Sequence, residues 1–220
     1  MLKSIILLSI ITGIISMPSG KAQERSINLP SPELDSETSV EKALSQRRSV
    51  RDFADQTLDN KQISQLLWSA QGITADWGGR TAPSAGATYP MEIYIAVNNS
   101  ESLTPGLYKY ENRNHSLRLI KKGSLGKELS QACLGQQSIQ EAPVSIIITA
   151  VLQRTAVRYG ERAQRYVYME AGHVGQNIYL QAESLGLGTV VIGAFHDDQV
   201  QEVLGINEDV MIIMPVGKIK

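Results

Sequence analysis

An α+β sandwich around one central sheet is the fold class that the sequence predicts. Three observations lead there. "GLYKYENRNHSLRLIKK" holds two alternating runs around the turn-rich "ENRNH", the pattern of an antiparallel hairpin. "APVSIIITAVL" is a continuous apolar run, which suits a strand buried on both faces. Helical periodicities surround these strands, and the longest runs from about Glu161 to Leu185. Helices, a hairpin and buried strands in mixed order imply helices packed on a sheet.

Each element has its own signal. Residues 23–38, "QERSINLPSPELDSET", are polar and rich in Pro and Ser, and read as a flexible leader. "SVEKALSQRRS" reads as a first helix with Thr38 as N-cap. "LDNKQISQLLWSAQGI" places Ile63, Leu66, Leu67 and Ala70 at helical spacing behind Asp59 or Asn60 as cap. "ADWGGRTAPSAGATYP" is a Gly/Pro/Ser loop, and "EIYIAVN" a β-branched strand. "SLGKELSQACLG" is helical. In the long periodic segment Val167, Ala171, Val174, Ile178, Ala182 and Leu185 repeat on one face. Gly172 and Gly175 cost helix stability there and suggest a close packing partner. "GTVVIGAF" reads as a short strand, "DDQVQEVLGI" as a capped helix and "DVMIIMPVGKIK" as a last strand. No repeat and no second domain is visible, so residues 39–220 form one domain.

The N-terminus precedes the fold. Lys3 is followed by "SIILLSIITGIISM", 14 residues without a charge, and then by Gly20 and Ala22 at the spacing of a cleavage site after Ala22. That pattern is a secretory signal peptide over residues 1–22, which places the mature protein outside the cytoplasm. The run is short for a membrane span, though an uncleaved anchor is the alternative.

Composition excludes some classes. The chain has 21 basic and 22 acidic residues and a net charge of −1, unlike the basic excess of a nucleic-acid binder. Cys133 is the only cysteine, so no internal disulfide forms; in its helical context it reads as a small buried residue. His115, His173 and His196 lack a metal-ligand pattern. Ser84 is not in a G-x-S-x-G elbow, and no glycine loop for nucleotides follows a strand.

Two stretches carry the functional signal. "RRSVRDF" places three arginines around a serine. One reading is a helix C-terminus whose cations meet the dipole in solvent. The other is an anion site, in which Arg47, Ser49 and Arg51, at alternate positions of an extended chain, point the same way toward a phosphate. Arg48 then points elsewhere. "RTAPSAGATYP" sets Ser84, Ala85, Gly86 and Ala87 between Pro83 and Pro90, and small residues let backbone approach a flat ligand. An ordinary surface loop is the alternative.

Taken in order, "RRSVRDF", "LLWSAQGI", "RTAPSAGATYPMEIYIAV", "GLYKY", "RYGERAQRYVYMEAGHVGQNIYLQAESLGLGTVVIGAF" and "MPVGK" resemble the FMN-dependent nitroreductase family. Within it they are most similar to the SagB-type branch, which includes azoline oxidases of peptide-modifying systems. The resemblance implies a nitroreductase-like sandwich with a mostly antiparallel sheet, and an intimate homodimer with FMN at its interface. It implies that Arg47, Ser49 and Arg51, with Arg48 beside them, hold the phosphate and ribityl chain, with Lys218 also reaching the phosphate. It places Pro83, Ser84, Ala85 and Gly86 against the isoalloxazine ring, Gly193 and Ala194 near its reactive nitrogen, and Gln137 at a polar ribityl or ring contact. It implies ping-pong electron transfer from NADH, NADPH or another donor to a small-molecule acceptor. Where azoline oxidases carry a Lys-Tyr pair this chain has Arg158-Tyr159, and arginine cannot act as a base. Tyr159 is the remaining catalytic candidate. Besides the oxidoreductase, a non-catalytic flavin-binding module and an azoline-type peptide dehydrogenase are the alternative functions.

Overall fold

The computed structural model describes residues 26–220; the expected signal peptide lies outside the described residues. Seven strands form one sheet in the order β1-β4-β3-β2-β5-β7-β6. They are β1 (Ser26–Asn28), β2 (Met91–Val97), β3 (Gly106–Glu111), β4 (Ser116–Lys122), β5 (Val144–Ala150), β6 (Leu187–Thr189) and β7 (Asp209–Lys218). Every strand pairing is antiparallel. The hairpin is β3–β4, and the expected doubly buried strand is β5, buried at every position. Strand alternation then sorts side chains between two layers. Ile93, Ile95, Ile146 and Ile148 meet one layer of helices, α2 (Asn60–Gln71) and α6 (Ala163–Ser184). Tyr94, Ala96 and Ile147 meet the other, α3 (Gly126–Ala132), α4 (Gln137–Glu141) and α7 (Asp197–Leu204). Cys133 is fully buried in that second layer, and burial pushes its thiol pKa up to about 12, so it is packing rather than chemistry.

Local chemistry accounts for the helix ends. Asp59 opens α2 with a capping box: its side chain accepts the Gln62 N–H, and the Gln62 side chain returns to the Asp59 N–H. Ser39, one residue beyond the expected Thr38, caps α1 (Val40–Gln46).

Two expectations need correction. The segment expected as a flexible leader is part of the domain from Ser26 on. β1 pairs with β4, the Pro30 carbonyl accepts from Ser64 Oγ, and Glu33 N–H donates to Gln65. Polar composition hid this, because these contacts are made by backbone groups. The periodic segment from about Glu161 to Leu185 is one helix, α6, which begins at Ala163 after a 3₁₀ turn; the helix before it, α5 (Leu152–Tyr159), ends at Gly160 with φ 53°. "GTVVIGAF" gives β6 only its last two residues, Gly188 and Thr189, and the chain then leaves the sheet except for a bridge at Ile192.

The "RRSVRDF" segment crosses the sheet edge. Ser49 bridges to Thr189 and Phe53 to Ile219, so the chain is extended there, as an alternate-position reading requires. Gly188 of β6 and Gly217 of β7 are cross-strand partners that share a face. A Cβ on Gly188 would lie 2.7 Å from Val50 Cγ1, and one on Gly217 would lie 3.0 Å from the Phe53 ring. The missing side chains are the space in which Val50 and Phe53 pack. Replacing Gly188 with valine is expected to displace this segment and cost about 1–3 kcal/mol, the usual penalty of overpacking. Urea unfolding of the variant measures it.

Candidate functional site

The structure gathers the sequence-predicted residues into two places on either side of α6. The first is the corner where α1 ends. Arg47 is the C-cap of α1, and its guanidinium lies 4.8 Å from the Tyr179 ring centroid. Ser49 Oγ is 2.9 Å from Tyr179 Oη, which also accepts the Val191 N–H at 2.9 Å. With Tyr179 as donor to Ser49, the serine's own proton stays available to a ligand. Arg51 is exposed and has no side-chain partner among the described residues. Arg48 turns back, donating to the Ser45 and Arg47 carbonyls. Lys218 joins the corner through its backbone, its carbonyl accepting the Ala54 N–H at 2.9 Å.

From this corner the chain after β6 runs through Val191 to Gly193 and Ala194, both exposed, and nothing lies within 4 Å of a Cβ built on Gly193. Gln136 reaches this strip: its Nε2 donates to the Ala194 carbonyl at 3.3 Å. Gln137 is the first residue of α4 and is exposed. Gly193, Gly172, Tyr168 and Phe195 share a cavity of about 620 Å³. A Cβ on Gly175 would lie 3.6 Å from both Val191 and Ile212, whereas one on Gly172 would meet open space within the subunit. The close partner expected for both glycines is therefore intramolecular for Gly175 alone.

The second place is the loop Pro83–Tyr89. Gly86, Ala87 and Tyr89 all have positive φ (58°, 54° and 44°), and two of them are not glycine. Such a backbone persists only where its surroundings over-determine it. Helix α5 supplies one clamp with a single face: Thr155 bonds Thr88, Arg154 donates to the Tyr89 carbonyl, and Arg158 donates to the Gly86 carbonyl at 3.1 Å. Tyr159 stands edge-on to Tyr166, and its hydroxyl occupies the space a Gly86 Cβ would need, at 2.5 Å. Glu170 of α6 lies near Ser84 and Ala85; it is 2% exposed and its Oε1 is buried without a hydrogen-bond partner. Burial is the largest effect on it and pushes its pKa up to about 7, against the lowering pull of Ser84, Arg80 and Ala85. Arg80 stacks on Tyr89, and desolvation lowers its pKa.

Helix geometry separates the two places. Glu170 and Tyr179 are nine positions apart, about two and a half turns and roughly 13 Å along α6, so they emerge on opposite sides. Tyr168, Gly172, Gly175 and Tyr179 follow one stripe, facing the corner and the strip. Glu170 and Asn177 follow another, and Asn177 Nδ2 ties down the loop's approach through the Ser69 and Thr81 carbonyls at 3.1 and 3.2 Å.

The sequence profile of the Nitroreductase family matches residues 44–218, which include both places. The chain belongs to the nitroreductase family. A nitroreductase-type protein of Methanocaldococcus jannaschii is 46% identical over 192 residues, covering 87% of this chain and 96% of that one. A solved nitroreductase-type structure from Ralstonia eutropha JMP134 superposes with TM-score 0.78 at 30% identity, covering 96% and 97% of the two chains. The Escherichia coli microcin synthetase McbBCD complex, solved with a truncated pro-MccB17, shares the fold at TM-score 0.68 and 21% identity over 99% of this chain and 79% of that one. This nitroreductase is thus an oxidoreductase of the flavin type, in a family that reaches into peptide-processing proteins.

Sequence reading missed Tyr179 and Glu170. Glu170 had a signal: it falls at a helical repeat of Ala163 and Val167, both buried, where a carboxylate is out of place. Tyr179 had none, since its role depends on Ser49 and Val191 arriving from distant segments. Tyr179→Phe removes one bond and leaves the Val191 N–H without its acceptor. The nitroreductase should lose about 1–2 kcal/mol in chemical denaturation.

Proposed function

We propose that this chain is an FMN-dependent oxidoreductase working as a homodimer, passing electrons from a reduced donor to a small-molecule acceptor. The observation that carries the reading is the strip from Arg47 and Ser49 through Val191 to Gly193. At one end are a guanidinium and a serine hydroxyl whose proton is free when Tyr179 donates to it, with the exposed Arg51 two residues on, which suits a phosphate monoester. At the other end is exposed, unobstructed backbone, which suits a flat ring. Those residues fit FMN in chemistry and in order. FMN, when bound, supplies the two-electron chemistry. The protein's part is to hold the phosphate at the corner, orient the ring along 193–194 and exclude water.

Within one subunit the Ser84–Gly86 loop lies across α6 from the corner. A second copy supplies it, and the exposed stripe of α6 (Arg165, Met169, Gly172, His173) gives that copy a surface with apolar and backbone contacts. The azoline-type reading loses support at Arg158. Its guanidinium is committed to the Gly86 carbonyl and stays protonated, so it holds the loop and offers no base. Tyr159, over Gly86, remains the group placed to exchange a hydrogen bond with substrate. The charge and hydropathy pattern of residues 1–22 supports export, and N-terminal sequencing of the protein from its host would show a start near Gln23.

Purified protein should show oxidised-flavin absorption bands that bleach on anaerobic titration with NADH or NADPH. Arg47→Ala should weaken FMN binding by tenfold or more, the loss expected for a charged hydrogen bond of about 1.5–3 kcal/mol. Absence of flavin bands after addition of FMN would refute the reading.

A further inference from the structure

The Ser84–Tyr89 loop has a second side. Its residues Thr88 and Tyr89 wall a separate cavity of about 430 Å³, at the small end of ligand pockets. The rest of the wall comes from the end of α2, from Arg80, from β2, from β3 and the turn after it, and from Arg154 of α5. Arg47, Ser49, Val191 and Gly193, which make the proposed flavin strip, take no part in it. Its apolar surface is Met91, Ile93 and Tyr110, all buried.

Two guanidiniums in this wall lack a carboxylate. Arg80 is half-buried, with its guanidinium 4.4 Å from the Tyr89 ring centroid, and its Nη1 donates to Gln71 Oε1 at 2.7 Å. Arg113 is exposed in the turn after β3. Neither forms an ion pair among the described residues. The carboxylates of the same wall are already engaged: Glu92 holds Lys109 and Arg154, and Glu111 holds Arg118. Gln71, bonded to Arg80, is the unmet group. It is 1% exposed, its Oε1 is taken by Arg80, and its Nε2 is buried with no hydrogen-bond partner. Exchanging the oxygen and nitrogen of the amide would set one donor against another, so the orphan is the N–H side. Native interiors leave few buried donors unmet. The amide and the remaining donors of Arg80 adjoin, so one acceptor with two oxygens answers both.

We propose that this cavity binds a small organic carboxylate, its two oxygens shared between Arg80 and the Gln71 amide, with Arg113 as a second cation at the rim. The planar fork of an arginine matches two coplanar oxygens. A phosphate fits less well, because Glu92 and Glu111 in the same wall repel a dianion more than a monoanion. The body of the acid meets Met91, Ile93 and Tyr110. Stacking on Tyr89 alone would explain Arg80 but would leave the Gln71 donor without a purpose. The site takes nothing from the FMN reading.

The test is an NMR titration of the purified protein, labelled with carbon-13 at its methionine methyls, with benzoate as the probe. Met91 lines this cavity and Met211 lines the one beside Gly193, so the two methyls report which cavity fills. Benzoate should shift the Met91 methyl saturably, with a Kd of about 1 mM or tighter, the reach of a ligand of that size. Benzamide, of the same shape without the charge, and inorganic phosphate should each bind about tenfold more weakly or worse. Arg80→Met keeps a long stem against the Tyr89 ring and should weaken benzoate tenfold or more. Should Arg80→Met not fold, Arg113→Ala, a change at the surface, should weaken it about threefold. An unmoved Met91 methyl, a shift at Met211 alone, benzamide or phosphate binding as well as benzoate, or a variant that binds benzoate like wild type would each overturn the proposal. Flavin absorbance after adding FMN is read separately, so failure of the cofactor reading leaves this result standing and the reverse.

Discussion

Helix α6 is the constraint on which everything else hangs. Its buried face, with Val167, Val174 and Ile178, is fixed on the sheet by apolar packing worth about 1.5–3 kcal/mol for each large side chain. Once that face is fixed, the helical repeat dictates the two neighbouring faces. One presents Tyr168, Gly172, Gly175 and Tyr179 to the chain after β6. The other presents Glu170 and Asn177 to the loop after α2. Moving any of these by one position would rotate it by about 100° and detach it from its partner.

The same logic explains why the anion corner sits where it does. "RRSVRDF" has no strand of its own to pair with, and it is held by two small surfaces: the Gly188–Gly217 pair beneath Val50 and Phe53, and Tyr179 beneath Arg47 and Ser49. Arg47 ends a helix, where a cation meets the dipole, and its guanidinium lies over the Tyr179 ring whose hydroxyl meets Ser49. Arg48 turns back, its guanidinium spent on helix-end carbonyls.

Much of this was legible from the chain. The strands β2, β5 and β7 and the helices α2 and α7 announce themselves by period and caps, because their packing is regular. The corner was legible through Arg47 and Ser49, whose chemistry is local to one heptapeptide. What was not legible depended on contacts between remote segments. Helix α5 was overlooked because its exposed face carries Arg154 and Arg158, whose purpose is visible only once they meet the Tyr89 and Gly86 carbonyls. Residues 26–34 looked like linker because their bonds are made by backbone.

In the proposed dimer α6 divides each flavin site between two copies of the chain. Subunit complementation tests this division. One chain would carry Arg47→Ala and Ser49→Ala, disabling the corner; the other would carry Gly86→Val, disabling the loop; each alone should fail to retain FMN. Co-expressed and purified through a tag on each chain, the hybrid dimer should regain one FMN per pair, from the site built by the intact corner of one chain and the intact loop of the other. A hybrid that stays empty would mean that corner and loop serve the same site within one subunit, and the account built on the opposite faces of α6 would be contradicted.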